Sequence, residues 1–247
     1  MTVMKFAATI VAFVGAAEAQ FRSASVRTYD TWLYGKFVTR MKAPNKKGTV
    51  SSFFTFWDGS DATPSLWNEL DIEIVPTVEQ TPFSMNIIYG DGYEKHNSHS
   101  YTNGFDPKDE WHTYAMEWTP DYIRWSIDDQ EVRHVPADHP AVLNMQREQS
   151  IRMNFWTPTF NSWGEGLDAS DMPWYLKYDF VEVYTYNHDT KDFKLYWRDD
   201  FDTFDESRWH KSQGGFDKNS SVFYPENVSI DAGNLVFKME PDDKYAA

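Results

Sequence analysis

Cysteine is absent from the 247 residues, so no disulfide supports this fold. Cationic side chains are scarce as well: 23 Lys and Arg stand against 38 Asp and Glu, for a formal charge of −15. That balance argues against nucleic acid, whose binding needs clustered Lys and Arg. The one notable basic pair, Lys46-Lys47, reads as part of a turn. Long apolar runs are missing too. The run Phe6 to Ala17 is too short to span a bilayer, and no later stretch approaches the ~20 apolar residues of a spanning helix. Helical periodicity is confined to Pro140 to Gln149, which suits a short helical turn, and there is no internal repeat or low-complexity tract. What remains is a chain 17% aromatic, long enough for one domain with a large core. Short alternating segments recur between Gly, Pro, Asp and Asn clusters, for example Phe53 to Trp57, Ser84 to Tyr89 and Phe180 to Tyr184. That cadence predicts an all-β sandwich or jelly roll.

The most informative stretch is Glu69-Leu70-Asp71-Ile72-Glu73, followed by Ile74 and Val75. β-Branched residues at period two predict a strand. On a strand Glu69, Asp71 and Glu73 share one face, while Leu70, Ile72 and Ile74 point into the layer behind. Three like charges in a row oppose sheet formation, so a strand that keeps them is expected to use them. Glu69 and Glu73 would have Cα atoms roughly 13 Å apart. Side chains leaning together shorten that to the ~5–5.5 Å carboxyl separation of a retaining glycosidase. Asp71 between them raises the pKa of at least one Glu. An acidic rim on a solvated strand, or a cation site, are the alternatives this pattern leaves open.

Several ordered motifs narrow the choice. Tyr34-Gly35-Lys36-Phe37 with Arg40-Met41-Lys42, Gly48 to Phe54, the Glu-x-Asp-x-Glu strand, Trp111 to Trp125, and Met153-Asn154-Phe155-Trp156 resemble, in order, the strands of glycoside hydrolase family 16. The carboxylate strand lacks the extra residue of laminarinase-type members and is similar to the lichenase and xyloglucan-active branches. A segment that opens ordinary members is similar to Phe201-Asp202-Thr203-Phe204-Asp205 with Trp209, Glu226-Asn227-Val228 and Gly233 to Phe237, here at the C-terminal side. The chain therefore resembles the circularly permuted mixed-linkage β-glucanase of rumen bacteria. The polar run Asn187 to Asp192 would join the former ends, as an exposed connector can. The domain organisation expected is a secretory signal over residues 1–19, one jelly-roll domain over 20–239 with 201–239 as the relocated segment, and an acidic tail over 240–247.

The resemblance implies Glu69 as nucleophile, Glu73 as acid and then base, and Asp71 as tuner of the pair; the pattern alone leaves the order of the two Glu roles open. It implies Phe54, Phe56, Trp156 and Trp163 as sugar platforms, with Asn86, Arg152 and Asn154 as polar contacts. Trp118 and Trp125 are expected in the core, and His112 as a structural histidine. Two departures bear on the cleft: Phe56 stands for a Tyr, and Gln213-Gly214 for an Asp-Trp pair in the permuted relative. No cofactor is expected for catalysis. A structural Ca²⁺ is implied at Asp179 with backbone oxygens of Asp200 and Gly233. The expected partner is a β-glucan, met outside the cell by a secreted monomer, with no membrane association. A transglycosylase, a β-1,3-glucanase and a non-catalytic glucan-binding module are the competing readings.

Overall fold

The computed structural model describes residues 21–60, 62–78, 82–90, 99–101 and 106–243. The expected signal segment and the last residues of the tail lie outside the described residues. The first half of the chain forms β1 (Phe21–Trp32), β2 (Gly35–Lys42), β3 (Val50–Phe56), β4 (Trp67–Ile74), β5 (Phe83–Gly90), β6 (His99–Tyr101), β7 (His112–Trp118) and β8 (Tyr122–Ile127). The second half adds β9 (Gln130–Pro136), β10 (Gln149–Trp156), β11 (Trp174–Asn187), β12 (Asp192–Asp199), β13 (Trp209–Lys211), β14 (Ser221–Phe223), β15 (Val228–Asp231) and β16 (Asn234–Pro241). The helical turn expected after Pro140 is α1 (Pro140–Asn144), with Pro in its first turn and His139 capping it.

Hydrogen bonding runs β6-β5-β4-β3-β10-β1 and continues β16-β11-β2-β7-β8-β9. The two series meet where Phe21 and Arg22 of β1 pair with Pro241 and Glu240 of β16. The sheet curls there, so that the two series pack face to face as a sandwich. Leu70, Ile72 and Ile74 from the first layer and Trp118, Trp125, Leu176 and Phe237 from the second are fully buried in one core. Three side chains of the second layer reach across it to backbone carbonyls of the first. Tyr178 donates to Ser52 (2.7 Å), Trp125 Nε1 to Asp71 (3.1 Å) and Arg133 to Met85 (2.8 Å). These bonds pin β3, β4 and β5 from behind, at the strands that carry the candidate site.

Two expectations about the ends meet the structure differently. The run Asn187 to Asp192 is the tight turn of the β11–β12 hairpin, closed by Lys191 N on Asn187 O at 2.8 Å. Glu240 and Pro241 are not a frayed tail. They extend β16 against β1, and Asp242 is buried beyond them, so the ordered domain runs past 239. The partner strand lies at the opposite end of the sequence, and no local pattern reveals such a pairing. His112 sits on β7 with Nδ1 2.7 Å from the Asp128 carboxylate. It does not line the cleft with the carboxylates.

Candidate active site

Strand β4 alternates as its sequence predicts. Its apolar side chains enter the core, and Glu69, Asp71 and Glu73 line a cleft of about 600 Å³ on the opposite face. Cross-strand register builds the rest. Phe56, Phe54 and Ser52 of β3 stand opposite Glu69, Asp71 and Glu73, and on the other side β5 sets Asn86 opposite Asp71. Beyond β3, β10 places Arg152 opposite Phe54 and Asn154 opposite Ser52, with Ser25 of β1 next in that row. Because directly paired residues share a face, a few alternating strands suffice to assemble the floor. All ten residues proposed from sequence for the carboxylate triad and the sugar contacts line this one cleft.

The carboxylates are crowded, with Asp71 buried and Glu69 and Glu73 half-buried. Asp71 is 5% exposed, hydrogen-bonds Glu69, and is held well above the ordinary aspartate range by burial and by the charges of Glu69 and Glu73. Burial and the Glu69 charge push Glu73 up to about 8. Glu69 accepts a hydrogen bond from Trp67 Nε1 at 2.6 Å. The cluster thus holds protons on Glu73 and Asp71 while donors gather at Glu69. Two carboxyl groups of unequal proton affinity in one cleft can supply both an acid and a nucleophile.

The walls differ in part from expectation. Phe56 is only 5% exposed, because the Arg152 guanidinium lies 4.2 Å over its ring and Trp67 packs edge-on at 5.5 Å. The guanidinium covers that face, and Arg152, held by Asp58 at 2.5 Å and by Ser150 Oγ at 3.3 Å, lines the cleft there. Trp156 packs with Phe216 (5.0 Å) and Phe160 (6.3 Å), and Phe160 in turn with Trp163 (6.1 Å). Sequence reasoning marked Gln213-Gly214 as bearing on the cleft but passed over Trp67, Phe160, Phe216 and the other residues of the Ser212 to Lys218 segment, all of which line it. Trp67 had a signal, since it shares the i, i+2 face of Glu69. The Ser212 to Lys218 segment is brought in from far along the chain. Its Gly214 adopts φ of +103°, which a side chain disfavours, and clasps Phe223 by two backbone hydrogen bonds.

Residues 7–176 match the pattern of Glycosyl hydrolases family 16. The chain belongs to that family. A β-glucanase of Fibrobacter succinogenes is 36% identical over 225 residues, covering 89% of this chain and 64% of that protein. A β-glucanase of Brevibacillus brevis is 34% identical over 171 residues, covering 65% of this chain and 60% of that protein. This family member therefore spans under two thirds of the length of either relative. Among solved structures, the Bacillus licheniformis β-glucanase is 28% identical with a TM-score of 0.54, over 67% of this chain and 78% of that one. The curled antiparallel sandwich is the family's jelly roll.

The residues expected to hold calcium lie away from the cleft. Asp179 follows the Tyr178–Leu235 pair and precedes the Val181–Asp199 pair, which sets it near the ends of the strands carrying Gly233 and Asp200. Its carboxylate accepts from Arg40 at 2.8 Å, so an ion there would share that oxygen pair with a guanidinium. Among the described residues no group of three or more His, Asp or Glu could hold a metal ion.

Proposed function

We infer that this protein is an endo-acting, retaining β-glucanase that cuts β-1,4 bonds next to β-1,3 linkages in mixed-linkage glucan. The observation that carries the reading is the row Glu69, Asp71 and Glu73 in one cleft, with Glu73 at about 8 beside a Glu69 that receives a donor. In this mechanism Glu73, protonated at neutral pH, gives its proton to the departing glycosidic oxygen. Glu69 attacks the anomeric carbon and forms a glycosyl-enzyme ester. Glu73, now ionised, takes a proton from water as that water opens the ester, and both groups return to their first state. Asp71 holds Glu69 in position through their hydrogen bond and keeps the cluster's proton affinity high. Ser52 Oγ and Asn154 Oδ1 are buried in the cleft lining with no hydrogen-bond partner among the described residues. Sugar hydroxyls supply what these two atoms require.

The β-glucanase names of the Fibrobacter and Brevibacillus relatives support the substrate class. The circular permutation belongs to the same reading. It is supported by the longer reach of the Fibrobacter match and by β16 lying between β1 and β11 in the middle of the sheet. Secretion rests on the signal-like residues 1–19. A structural Ca²⁺ at Asp179 completes the proposal, with the ion and Arg40 sharing that carboxylate.

The deciding experiment compares hydrolysis of barley mixed-linkage β-glucan, laminarin and xyloglucan, reading reducing ends and products. Cleavage of the mixed-linkage polymer alone is expected. Cleavage of another polymer alone would overturn the substrate, and transfer to oligosaccharide acceptors in place of hydrolysis would overturn the reaction.

A further inference from the structure

We propose that Tyr29 and His210 form a distal sugar platform that takes the β-glucan chain beyond the cleft, along the same face of the sheet. The proposal rests on the glucanase reading and extends it to residues outside the cleft lining. Along β1, Ala24, Val26 and Thr28 are fully buried, and the alternate positions Ser25, Arg27 and Tyr29 take the other face. Ser25 lines the cleft, so period-two alternation carries that face on to Arg27. The register with β10 then shifts between Arg27 and Thr31, and Tyr29 in that irregularity is kept on the same side by its contact with His210, which pairs with Arg27. Strand β13 adds His210 opposite Arg27, and Ser212, two residues on, lines the cleft again.

A continuous chain of side-chain contacts joins the two places. Arg152 in the cleft is held by Asp58 at 2.5 Å, and Asp58 lies 3.6 Å from Arg27. The Arg27 guanidinium is 6.0 Å from the Tyr29 ring, and that ring is 5.9 Å from His210, tilted by 58°. Tyr29 is 51% exposed, unlike the covered Phe56 nearer the carboxylates. Three strand spacings separate β1 from β4, roughly 14 Å across the sheet, and β13 lies one spacing further. Across the strands, the cleft row Asn86, Asp71, Phe54 and Arg152 continues in register to Arg27 of β1 and His210 of β13, so a chain leaving the cleft over Arg152 meets His210, with Tyr29 beside it two residues along β1 from Arg27. An open aromatic face flanked by imidazole and guanidinium donors is the chemistry that holds a pyranose, with the ring against its CH surface and donors at its hydroxyls.

The test uses Glu69→Gln protein, titrated by calorimetry with a tetrasaccharide and an octasaccharide of mixed-linkage β-glucan. Adding Tyr29→Ala is expected to lower the octasaccharide-to-tetrasaccharide affinity ratio roughly five- to tenfold. Tyr29→Phe should restore most of that ratio, and His210→Ala should reduce it less. An unchanged ratio, or equal weakening of both oligosaccharides, overturns the distal platform even where the wild-type enzyme hydrolyses β-glucan. Wild-type protein that hydrolyses no β-glucan overturns the catalytic reading, while the affinity ratio still decides the platform. Failure of both oligosaccharides to bind overturns both.

Discussion

Two acidic sites in this molecule are equally buried and chemically opposite. Glu117, 6% exposed on the outer side of the second layer, is ion-paired to Arg124, lies 3.4 Å from Lys36 and accepts from Tyr122 at 3.0 Å. Asp71, 5% exposed in the cleft, has Glu69 and Glu73 as its charged neighbours. Burial alone therefore does not decide what a carboxylate does. Counter-charges turn Glu117 into a brace, whereas burial without a counter-charge, reinforced by the like charges alongside, holds protons on the cleft cluster. The contrast fits a division of labour in which the outer layer carries compensated charge and the cleft tolerates uncompensated charge because substrate chemistry uses it.

The largest break in this comparison should come from the cleft. Glu69→Gln is expected to lower kcat on mixed-linkage glucan by roughly 10⁴-fold while glucan binding persists. Retention of more than a few per cent of activity would reject Glu69 as nucleophile. Replacement of the brace should do the reverse. Glu117→Ala should destabilise the fold by about 2–3 kcal/mol in urea unfolding, with turnover per folded molecule preserved. A loss of turnover without loss of stability would erase the distinction drawn between the two sites.

Proton affinity sharpens the same contrast. Glu73 holds its proton in the folded protein to about 8, whereas the unfolded chain releases it near 4.5. The folded state binds more protons between those values, so stability falls as pH rises through that window. Glu73→Gln should flatten the decline and leave the variant more stable than wild type above pH 8, by on the order of 2 kcal/mol. In the wild-type enzyme kcat/KM should fall as pH rises through about 8, when the acid loses its proton. Wild-type and variant melting curves that share one pH dependence would argue against a raised Glu73. The smallest effect concerns Asp179, an acid already paired with Arg40. EDTA is expected to lower the melting temperature by about 2–4 °C with turnover at 25 °C unaffected. An unchanged melting curve would remove calcium from the proposal.

Much of this was legible in the chain because β-structure writes itself at period two. Glu69, Asp71 and Glu73 alternate with Leu70 and Ile72, so face and burial follow from sequence alone. Phe54, Asn86, Asn154 and Trp156 were legible through resemblance, and strand register explains why they converge. Other features had no local signature. Phe216 and Phe160 reach the cleft on segments distant in sequence from β4. The covering of Phe56 depends on a guanidinium from β10. Glu240 looked like tail because its partner, Arg22, lies more than two hundred residues away in sequence.

The place of β16 has a consequence for how the protein is made. Strands β1 and β11, which flank it, are synthesised well before it, and a ribosome adds only about 5–20 residues per second. Until β16 emerges, Trp174 to Tyr178 of β11, and over a shorter stretch Phe21 and Arg22 of β1, lack their partners in the middle of the sandwich instead of at its rim. Nascent chains would wait, with open edges, for β16, and assembly would be slow because that strand's contacts with β1 are so non-local. A polypeptide shortened before residue 234 would keep every carboxylate of the cleft and yet carry two sticky interior edges. Its predicted fate is aggregation, well before any question of activity arises.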